Sequence, residues 1–413
     1  MVNKKKKPEI RFKEFEEDWV ENMIGDFYFF KNGLNKGKEY FGSGVPIVNY
    51  TDVFRSRGLK AHQLNGRVML SESEIKNYEV RQGDIFFTRT SETIEEIGYA
   101  SVMLDKPFHT AFSGFVLRGR AISTDPMEDV FKQYAFFTKS FRAEMQRKST
   151  ITTRALTSGT AIKAMFFVFP QSKIEQSKIG IFFDYLNNLI ELRGRENEQT
   201  VNIKKAMIEK MFPKKGENVP EVRFDGFTET WEQRKLKELV TPVFREVPKP
   251  SKSYKRMSIR SHAKGTFHQM VDDPDTVAME KLFVVHENDL VVNITFAWEH
   301  AIAVAKKEDN GLLVSHRFPT YEMNESDPNF IRVLVYKENF RRKMELISPG
   351  GAGRNRVLNK NDFIQIEEIV PTFPEQNAIG NFFRSLDTLI EAQQQELEKL
   401  QNIKNALLDK MFV

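Results

Sequence analysis

Two loops combine basic side chains with hydroxyl, amide and glycine residues, one over residues 147–163 and the other over residues 348–356. Lys and Arg neutralise phosphates, and Ser, Thr and Gly let a backbone approach one closely. Arg and Asn can also hydrogen-bond the edges of bases with two bonds at once. A solvated loop is the ordinary interpretation of one such stretch, but two of them at equivalent places favour binding to a polyanion. The expected contacts are Lys148, Arg154, Thr157, Ser158 and Lys163 in the first loop, and Arg354, Asn355 and Arg356 in the second.

Shorter polar turns follow two β-prone runs, residues 80–87 and 286–292. Donor-rich turns at strand ends suit an edge that reads a nucleic-acid groove. For Trp298 a place in the core is an equal alternative. The candidates in these turns, with those of two further polar turns, are Thr88, Arg89, Thr90 and Ser91; Asn293, Thr295 and Trp298; Asn49 and Tyr50; and Arg260, His262 and Lys264.

Patterns that would indicate catalysis are absent from the sequence. There is no cysteine, which excludes disulfides, cysteine zinc sites and thiol catalysis, and the seven histidines form no i, i+4 pair. The glycine-rich stretch 350–353 lacks the Lys-Ser/Thr of a phosphate loop, and no Asn/Asp-Pro-Pro-aromatic motif of a base methylase is present. We therefore expect no catalytic residue, no metal site and no cofactor bound by this chain.

Composition sets wide bounds. A chain of 413 residues is too long for one ordinary core, so two domains are expected. The net charge of +5 permits a polyanionic partner without requiring one. Apolar runs are far shorter than the roughly 20 residues of a membrane span, and the start lacks a secretion signal, so we expect a cytoplasmic protein.

An internal repeat sets the architecture. Pro8-Glu9-Ile10-Arg11-Phe12, followed by Trp19, returns 212 positions later as Pro220-Glu221-Val222-Arg223-Phe224, followed by Trp231. The segment from Glu175-Gln176 to Lys210-Met211-Phe212 returns 200 positions later, from Glu375-Gln376 to Lys410-Met411-Phe412. The chain is therefore two consecutive copies of one sequence repeat.

Apolar residues at a 3–4 spacing predict that both closing segments are long helices. Each is either a surface helix of its own domain or, as we favour, half of an intramolecular antiparallel pair, because a narrow apolar seam needs a partner helix. At 1.5 Å per residue each helix would span about 55 Å, or about 16 base pairs of DNA.

The middles of the two copies diverge and predict mixed α/β structure, with a short helix around residues 141–145 and another around 340–344. The predicted fold is α/β (α+β), with two globular domains joined by an antiparallel coiled coil and related by a pseudo-twofold internal repeat. The predicted boundaries are 1–172 for the first globular domain, 173–213 for the central helix, 214–373 for the second globular domain and 374–413 for the C-terminal helix.

The whole chain resembles the specificity subunit of type I restriction–modification systems. The resemblance rests on the order and duplication of motifs that are individually weak. They are Pro8–Phe12 with its copy at Pro220; Gly44–Val48 before Asp52-Val53; Gly83–Arg89; the Glu-Gln that opens each long helix; and the closing Asn-Ile-Lys-x-Ala with Lys-Met-Phe. The second copy departs from the pattern, with Asn288-Asp289 where the first has Gly83-Asp84.

The resemblance implies that two recognition domains each read one half of a bipartite site in double-stranded DNA, and that the helices set the unread spacer. It implies two modification (methyltransferase) subunits that carry S-adenosylmethionine and methylate adenine. Restriction (translocase/nuclease) subunits that use ATP and Mg²⁺ would complete the complex. Two alternatives stay open at this point, a self-contained restriction or methylation enzyme with an unrecognised site and a coiled-coil scaffold that binds only protein.

Overall fold

The computed structural model describes residues 7–151, 153–350 and 356–413. It divides into two compact units. Unit 1 comprises the chain up to Gly194 together with Gln395–Val413, and unit 2 comprises Arg195–Gln394. Both units are mixed α/β, as predicted.

Unit 1 is built on a five-stranded sheet in the order β2-β10-β6-β8-β4, with two three-stranded sheets, β5-β3-β9 and β11-β12-β7, and a pair β1-β13. Its strands are β1 Val20–Met23, β2 Tyr28–Asn32, β3 Phe41–Val48, β4 Gly58–Leu59, β5 Arg67–Val68, β6 Ile85–Thr88, β7 Thr90–Ser91, β8 Ala100–Met103, β9 Ala111–Phe112, β10 Val116–Ala121, β11 Thr150–Ile151, β12 Ala155–Leu156 and β13 Phe166–Phe169. Its helices are α1 Ile24–Phe27, α2 Tyr50–Arg55, α3 Glu72–Asn77, α4 Asp129–Ala135, α5 Lys139–Lys148, α6 Gly159–Lys163 and the first part of α7 Lys173–Lys210.

Unit 2 has a four-stranded sheet in the order β15-β23-β20-β21, a five-stranded sheet β16-β19-β22-β17-β18 and a pair β14-β24. Its strands are β14 Glu232–Lys235, β15 Val240–Val243, β16 Glu246–Pro248, β17 Tyr254–Ile259, β18 Thr266–Val271, β19 Lys281–Val284, β20 Leu290–Val292, β21 Ile302–Val304, β22 Leu313–Val314, β23 Thr320–Met323 and β24 Glu367–Val370. Its helices are α8 Leu236–Leu239, α9 Pro328–Val335, α10 Glu338–Leu346, α11 Lys360–Phe363 and the first part of α12 Phe373–Met411. The short helices expected near 141–145 and 340–344 are confirmed as α5 and α10.

The two long helices run antiparallel within each unit. In unit 1, Arg193 pairs with Glu396 at 3.2 Å, and ten residues earlier in α7 the Phe183 ring meets that of Phe412 at 6.0 Å. In unit 2, Lys204 pairs with Asp387. The predicted helix pair is therefore confirmed. The second helix begins one residue before Pro374, which a first helical turn tolerates because its N–H groups have no partner inside the helix.

Each long helix ends in the core of the unit that contains the other copy's opening motif. Phe412, at the end of the second copy, stacks on Phe131 at 5.3 Å and meets Trp19 edge-on at 6.1 Å in unit 1. Phe212, at the end of the first copy, stacks on Phe330 at 5.5 Å and meets Trp231 at 5.8 Å in unit 2. The repeated Lys-Met-Phe therefore completes a hydrophobic core in each unit.

The repeated Glu-Gln at the start of each long helix holds the opening motif and the preceding domain together. Glu175 is 1% exposed and accepts two hydrogen bonds from Arg11, at 2.7 and 2.9 Å, and this contact raises the pKa of Arg11. Glu375 holds Arg223 in the same way, with both distances 2.7 Å. The neighbouring Gln176 side chain donates to the carbonyl of Pro170 at 2.7 Å, so the segment before the helix is fixed as well.

The strands that precede the two polar turns are equivalent despite their different sequences. Gly83 and Asn288 both adopt a positive φ, at 83° and 70°, a conformation that Asn tolerates better than most side chains. The Asp84 carboxylate accepts from the amide three residues earlier at 2.7 Å, and Asp289 does the same at 2.7 Å. The departure of the second copy from the motif therefore leaves the turn intact.

Removing one partner of the buried Arg–Glu pair should destabilise its own unit. We expect Glu175→Ala to lower the free energy of unfolding by about 2–3 kcal/mol, because it removes two charge-assisted hydrogen bonds from Arg11 and the acceptor of the buried Trp19 indole N–H. Glu14→Ala removes the exposed pair with Lys178 in the same unit and should leave the unfolding midpoint unchanged in urea titrations. Equal effects of the two substitutions would contradict this role of Glu175.

Truncating the ends of the long helices should have crossed effects. Phe412→Ala should cost about 3–5 kcal/mol by leaving a cavity in unit 1, although residue 412 belongs to the second copy. Hydrogen–deuterium exchange should then rise in α4 and not in α9, and Phe212→Ala should give the reverse. Faster exchange in the unit of the same copy would contradict the crossed packing.

Candidate nucleic-acid interface

A groove of about 270 Å³ lies on unit 1 beside the end of β6, and is called the unit 1 groove below. Three cations, Lys31, Arg89 and Lys163, face it, and no carboxylate is among the described residues that line it. A basic groove without acidic side chains matches a phosphate backbone. The complete lining is Phe30, Lys31, Asn32, Arg89, Leu117, Ser158, Gly159, Thr160 and Lys163.

Short strands bring the two predicted loops of unit 1 together at this groove. β7, which follows Arg89, pairs with β12, and the Arg89 carbonyl accepts from the amide of Thr157 at 3.0 Å. The Ser158 hydroxyl caps α6 by accepting from the amide of Ala161 at 3.1 Å, which fixes the helix that carries Lys163. Residues separated by about seventy positions in the sequence therefore form one surface.

The cations of this groove differ in how they are held. Lys31 donates to the carbonyl of Asn77 at 2.7 Å, and partial burial together with Arg118 and Arg120 lowers its pKa. The side chains of Arg89 and Lys163 have no hydrogen-bond or ion-pair partner in the described part of the chain. Both charges are therefore available to a phosphate or a base.

Several of the predicted residues in unit 1 have structural roles. Thr88, Ser91 and Thr157 are at most 6% exposed, so we remove them from the predicted surface. The Thr88 hydroxyl accepts from the amide of Tyr99 at 2.9 Å, and this pairing at the strand end is what buries it. Asn49 caps α2 together with Asp52.

The remaining candidates of unit 1 lie at or near its surface. The Tyr50 ring stacks on Phe54 at 5.6 Å, and burial raises the pKa of Tyr50, whose hydroxyl contacts Ser91. Thr90 is half-buried in β7. Arg154 is paired with Glu92 at 2.9 Å on an exposed surface, and Lys148 lies 3.9 Å from Glu144.

Unit 2 carries a second groove, of about 250 Å³, beside the end of β20, and it is called the unit 2 groove below. Asn293 and Thr295, both predicted, line it, and so do Arg256 and Arg317. Its other polar lining residues are Tyr254, Ser258, Gln269 and Ser315, and no described lining residue is a carboxylate. The Arg317 side chain has no partner in the described residues, whereas Arg256 donates to Gln269 at 2.9 Å. The two units thus present different side chains after the equivalent strand.

The other predicted residues of unit 2 lie elsewhere. Asn293 is only 8% exposed and its side-chain oxygen accepts from the amide of Thr295 at 3.1 Å, so it shapes the groove more than it opens into it. Trp298 is half-buried beneath the Arg356 guanidinium at 5.5 Å, and Arg356 also pairs with Glu345 at 3.3 Å. Arg354 and Asn355 lie outside the described residues.

The polar turn 260–265 of unit 2 joins β17 to β18 and lies apart from the unit 2 groove. The Arg260 guanidinium lies over the Phe267 ring at 4.8 Å, and the His262 amide donates to the carbonyl of Glu299 at 2.7 Å. Lys264 lines a separate cleft in which Glu287 and Glu308 are also present. This cleft mixes six cations with four carboxylates, so unlike the two grooves it is not free of acidic side chains.

The prediction missed Lys31, Asn32, Arg256, Gln269 and Arg317. Lys31 and Asn32 stand at the end of the run Tyr28-Phe29-Phe30, so a change from aromatic to polar residues marked the strand end. Arg317 lies three residues before β23, and its place in the groove follows from the pairing of that strand, which the sequence does not reveal.

Comparisons with known proteins agree with this architecture. The chain is 23% identical over 420 aligned residues, 98% of its length and 94% of the other protein's, to the putative type I restriction enzyme MjaX specificity subunit of Methanocaldococcus jannaschii. It is 26% identical over 207 residues, 46% of its length and 44% of the other's, to the type I restriction enzyme MjaIX specificity subunit of the same organism. No family model matches the chain.

Among solved structures, the S subunit of the type I restriction–modification system of M. genitalium matches with a TM-score of 0.58 and 14% identity, over 98% of this chain and 99% of that one. A chain from a study of complex assembly and conformational transition in the type I R-M system matches with a TM-score of 0.54 and 14% identity, over 95% and 97%. The resemblance to type I specificity subunits is confirmed. The structural matches add that this chain shares their fold.

Two features are absent from the described residues. No helix there is long and apolar enough to cross a membrane. No group of three or more acidic or histidine side chains there could hold a metal ion.

The unit 1 groove predicts a specific salt dependence. Arg89→Ala should weaken binding to duplex DNA and reduce the slope of log K against log salt by about 1, because one phosphate contact is lost. Arg81→Ala is a matched control, since Arg81 precedes β6 at its opposite end and pairs with Glu79. Fluorescence anisotropy over about 50–200 mM salt measures both variants. An unchanged slope for Arg89→Ala, or an equal change for Arg81→Ala, would remove this groove from the interface.

Proposed function

We propose that this chain is the DNA sequence-specificity subunit of a type I restriction–modification complex. One observation carries the proposal: a repeated scaffold presents a different carboxylate-free groove after the equivalent strand in each unit. A repeated catalytic site would require the same reactive side chains in both units. Two different grooves instead suit the reading of two different half-sites of one bipartite duplex site.

In this proposal the chain itself catalyses no reaction and binds no cofactor. Two modification subunits bring S-adenosylmethionine and methylate adenine, and restriction subunits bring ATP and Mg²⁺. The likeness to specificity subunits over nearly the full chain supports this division of labour. DNA affinity comes from the cations of the grooves, and sequence choice comes from the polar side chains that differ between them.

The long helices offer a repeated surface for two identical partners. Ile203 and Ile403 occupy the same place in the repeated Asn-Ile-Lys and are 51% and 41% exposed. An apolar side chain exposed at the same position in both units suits contact with one copy each of the same protein. We therefore place the contact with the modification subunits on these helix faces.

Reconstitution tests the division of labour. The purified chain with S-adenosylmethionine, ATP, Mg²⁺ and DNA should neither methylate nor cut, and addition of its modification subunit should produce methylation at one bipartite site. Methylation or cleavage by the chain alone would establish a self-contained enzyme. Binding of partner proteins without any salt-sensitive preference among DNA sequences would establish a protein-only scaffold.

The helices should act as a ruler. Insertion of one heptad into each long helix, after Gly194 and after Gln394, adds about 10.5 Å. We expect the unread spacer to lengthen by about three base pairs, at 3.4 Å each, while both half-sites stay the same. Sequencing of methylated positions measures the result. An unchanged spacer, or altered half-sites, would contradict the ruler.

A further inference from the structure

Each unit exposes one phenylalanine at the same end of an equivalent strand pair. In unit 1, Phe115 precedes β10 and is 66% exposed, and in unit 2, Phe244 follows β15 and is 79% exposed. β2 pairs with β10 and β15 pairs with β23, so both rings stand where these two antiparallel strands meet their loops. Two large apolar rings are thus left in solvent at equivalent places, which favours a partner that covers both.

The backbone on either side of each ring is held in place. The Phe115 carbonyl accepts from the amide of Arg89 at 3.1 Å, and its own amide donates to the hydroxyl of Ser113 at 3.3 Å. Phe244 lies between Val243, which pairs with Thr320, and Arg245, whose carbonyl accepts from the amide of Val284 at 2.9 Å. The backbone that carries each ring is therefore fixed next to its groove.

Both rings adjoin a carboxylate-free groove. The backbone carbonyl of Phe115 accepts a hydrogen bond from the amide of Arg89, which lines the unit 1 groove. The pairing of Val243 with Thr320 places Phe244 beside the segment that carries Phe318 and Arg317 of the unit 2 groove. An exposed apolar ring beside a basic groove suits a partner with negative charge outside and flat apolar surfaces inside, which is a duplex with its stacked bases.

The two phenylalanines stand at different positions of the repeat. The place of Phe244 is occupied in unit 1 by Asn32, 212 positions earlier, and the place of Phe115 is occupied in unit 2 by Arg317, whose carbonyl accepts from Ile294 as that of Phe115 does from Arg89. A contact with two copies of one protein would keep the same residue in both units, as Ile203 and Ile403 do. Two different half-sites of DNA place no such demand.

We propose that Phe115 and Phe244 are wedges that insert between adjacent base pairs, one in each half-site, and unstack one step there. This inference rests on the proposed function and assigns a DNA contact to each unit. Because the rings stand on different strands, they enter different steps relative to the scaffold. The deformability of that step then contributes to the choice of sequence, in addition to hydrogen bonds with base edges.

The test uses the chain assembled with its modification subunits and duplexes that carry the bipartite site identified by sequencing of methylated DNA. A 2-aminopurine replaces one base at a time in each half-site, except at the methylated adenine, which the modification subunit acts on. Binding of the unaltered complex should raise the fluorescence at one step in each half-site. Phe115→Ala should abolish the rise in one half-site only, and Phe244→Ala in the other only.

Affinity provides the second readout. Each substitution should weaken binding to the site by roughly 10- to 100-fold, the range that loss of one base–aromatic stack produces. Phe108→Ala is the control, because Phe108 is 77% exposed in unit 1 and its carbonyl accepts from the Thr110 hydroxyl, which is not a groove residue. Because all three rings are exposed, the melting temperature of each variant should equal that of the unaltered chain, which will show that the variants fold.

Four outcomes overturn the wedge. The first is a fluorescence rise and an affinity that both survive Phe115→Ala and Phe244→Ala, and the second is an equal loss of both with Phe108→Ala. The third is a loss of affinity on Phe115→Ala or Phe244→Ala that is seen with duplexes containing thymine but not with duplexes containing uracil, which indicates contact with the thymine methyl group. The fourth is that either substitution weakens binding of the modification subunits in the absence of DNA. In each of these the unaltered complex still selects its site, so the proposed function stands. If the unaltered complex shows no sequence preference, the proposed function itself fails.

Discussion

The buried pair between an arginine and the first glutamate of a long helix is the contact on which the rest of the structure depends. Arg11 with Glu175, and Arg223 with Glu375, tie the opening motif of each copy to the helix that closes the same copy. The adjacent glutamine bonds the segment that leads into the helix, so the domain, the motif and the helix start are held at one point. Glu175 and Glu375 are each 1% exposed, so without its arginine either carboxylate would be a buried, uncompensated charge.

This anchoring explains why the two copies can differ so much elsewhere. The ends of the long helices supply Phe412 to one core and Phe212 to the other, so each unit depends on residues from both copies. The scaffold is thereby constrained at its motifs, whereas the loops after β6 and β20 place only a few side chains, such as Ile97 and Ala297, in the cores. Other side chains there can change without loss of the fold, as the contrast between Arg89 and its counterpart Ile294 illustrates.

The fold could be predicted from the sequence because repetition and helical periodicity are strong, local signals. The helix bounds, the antiparallel pair and the short helices α5 and α10 all follow from spacing. The site could be predicted only in part, because a polar residue beside a strand is exposed or buried according to pairings that spacing does not reveal. Thr88 and Thr157 became buried through contacts with Tyr99 and Arg89, whereas Lys31 and Arg317 reached the grooves through strand pairing.

The same limit applies to the turns. Asn288 stands where the first copy has Gly83, and both residues have a positive φ, so the turn keeps its backbone conformation although the sequence of the motif differs. Conversely, the turn at Arg260 is as basic as the first loop but stands apart from the unit 2 groove. Composition predicts that a segment is polar, and the tertiary contacts decide what it faces.

The central claim is that this chain chooses the DNA sequence on which its partners act. The most direct measurement is single-molecule sequencing of methylated bases in host DNA with and without the gene for this chain. The account predicts that deletion removes N6-methyladenine from one bipartite motif, and that the gene restores it. A methylation pattern that stays unchanged after deletion, in a host whose modification subunit is active, would contradict the claim.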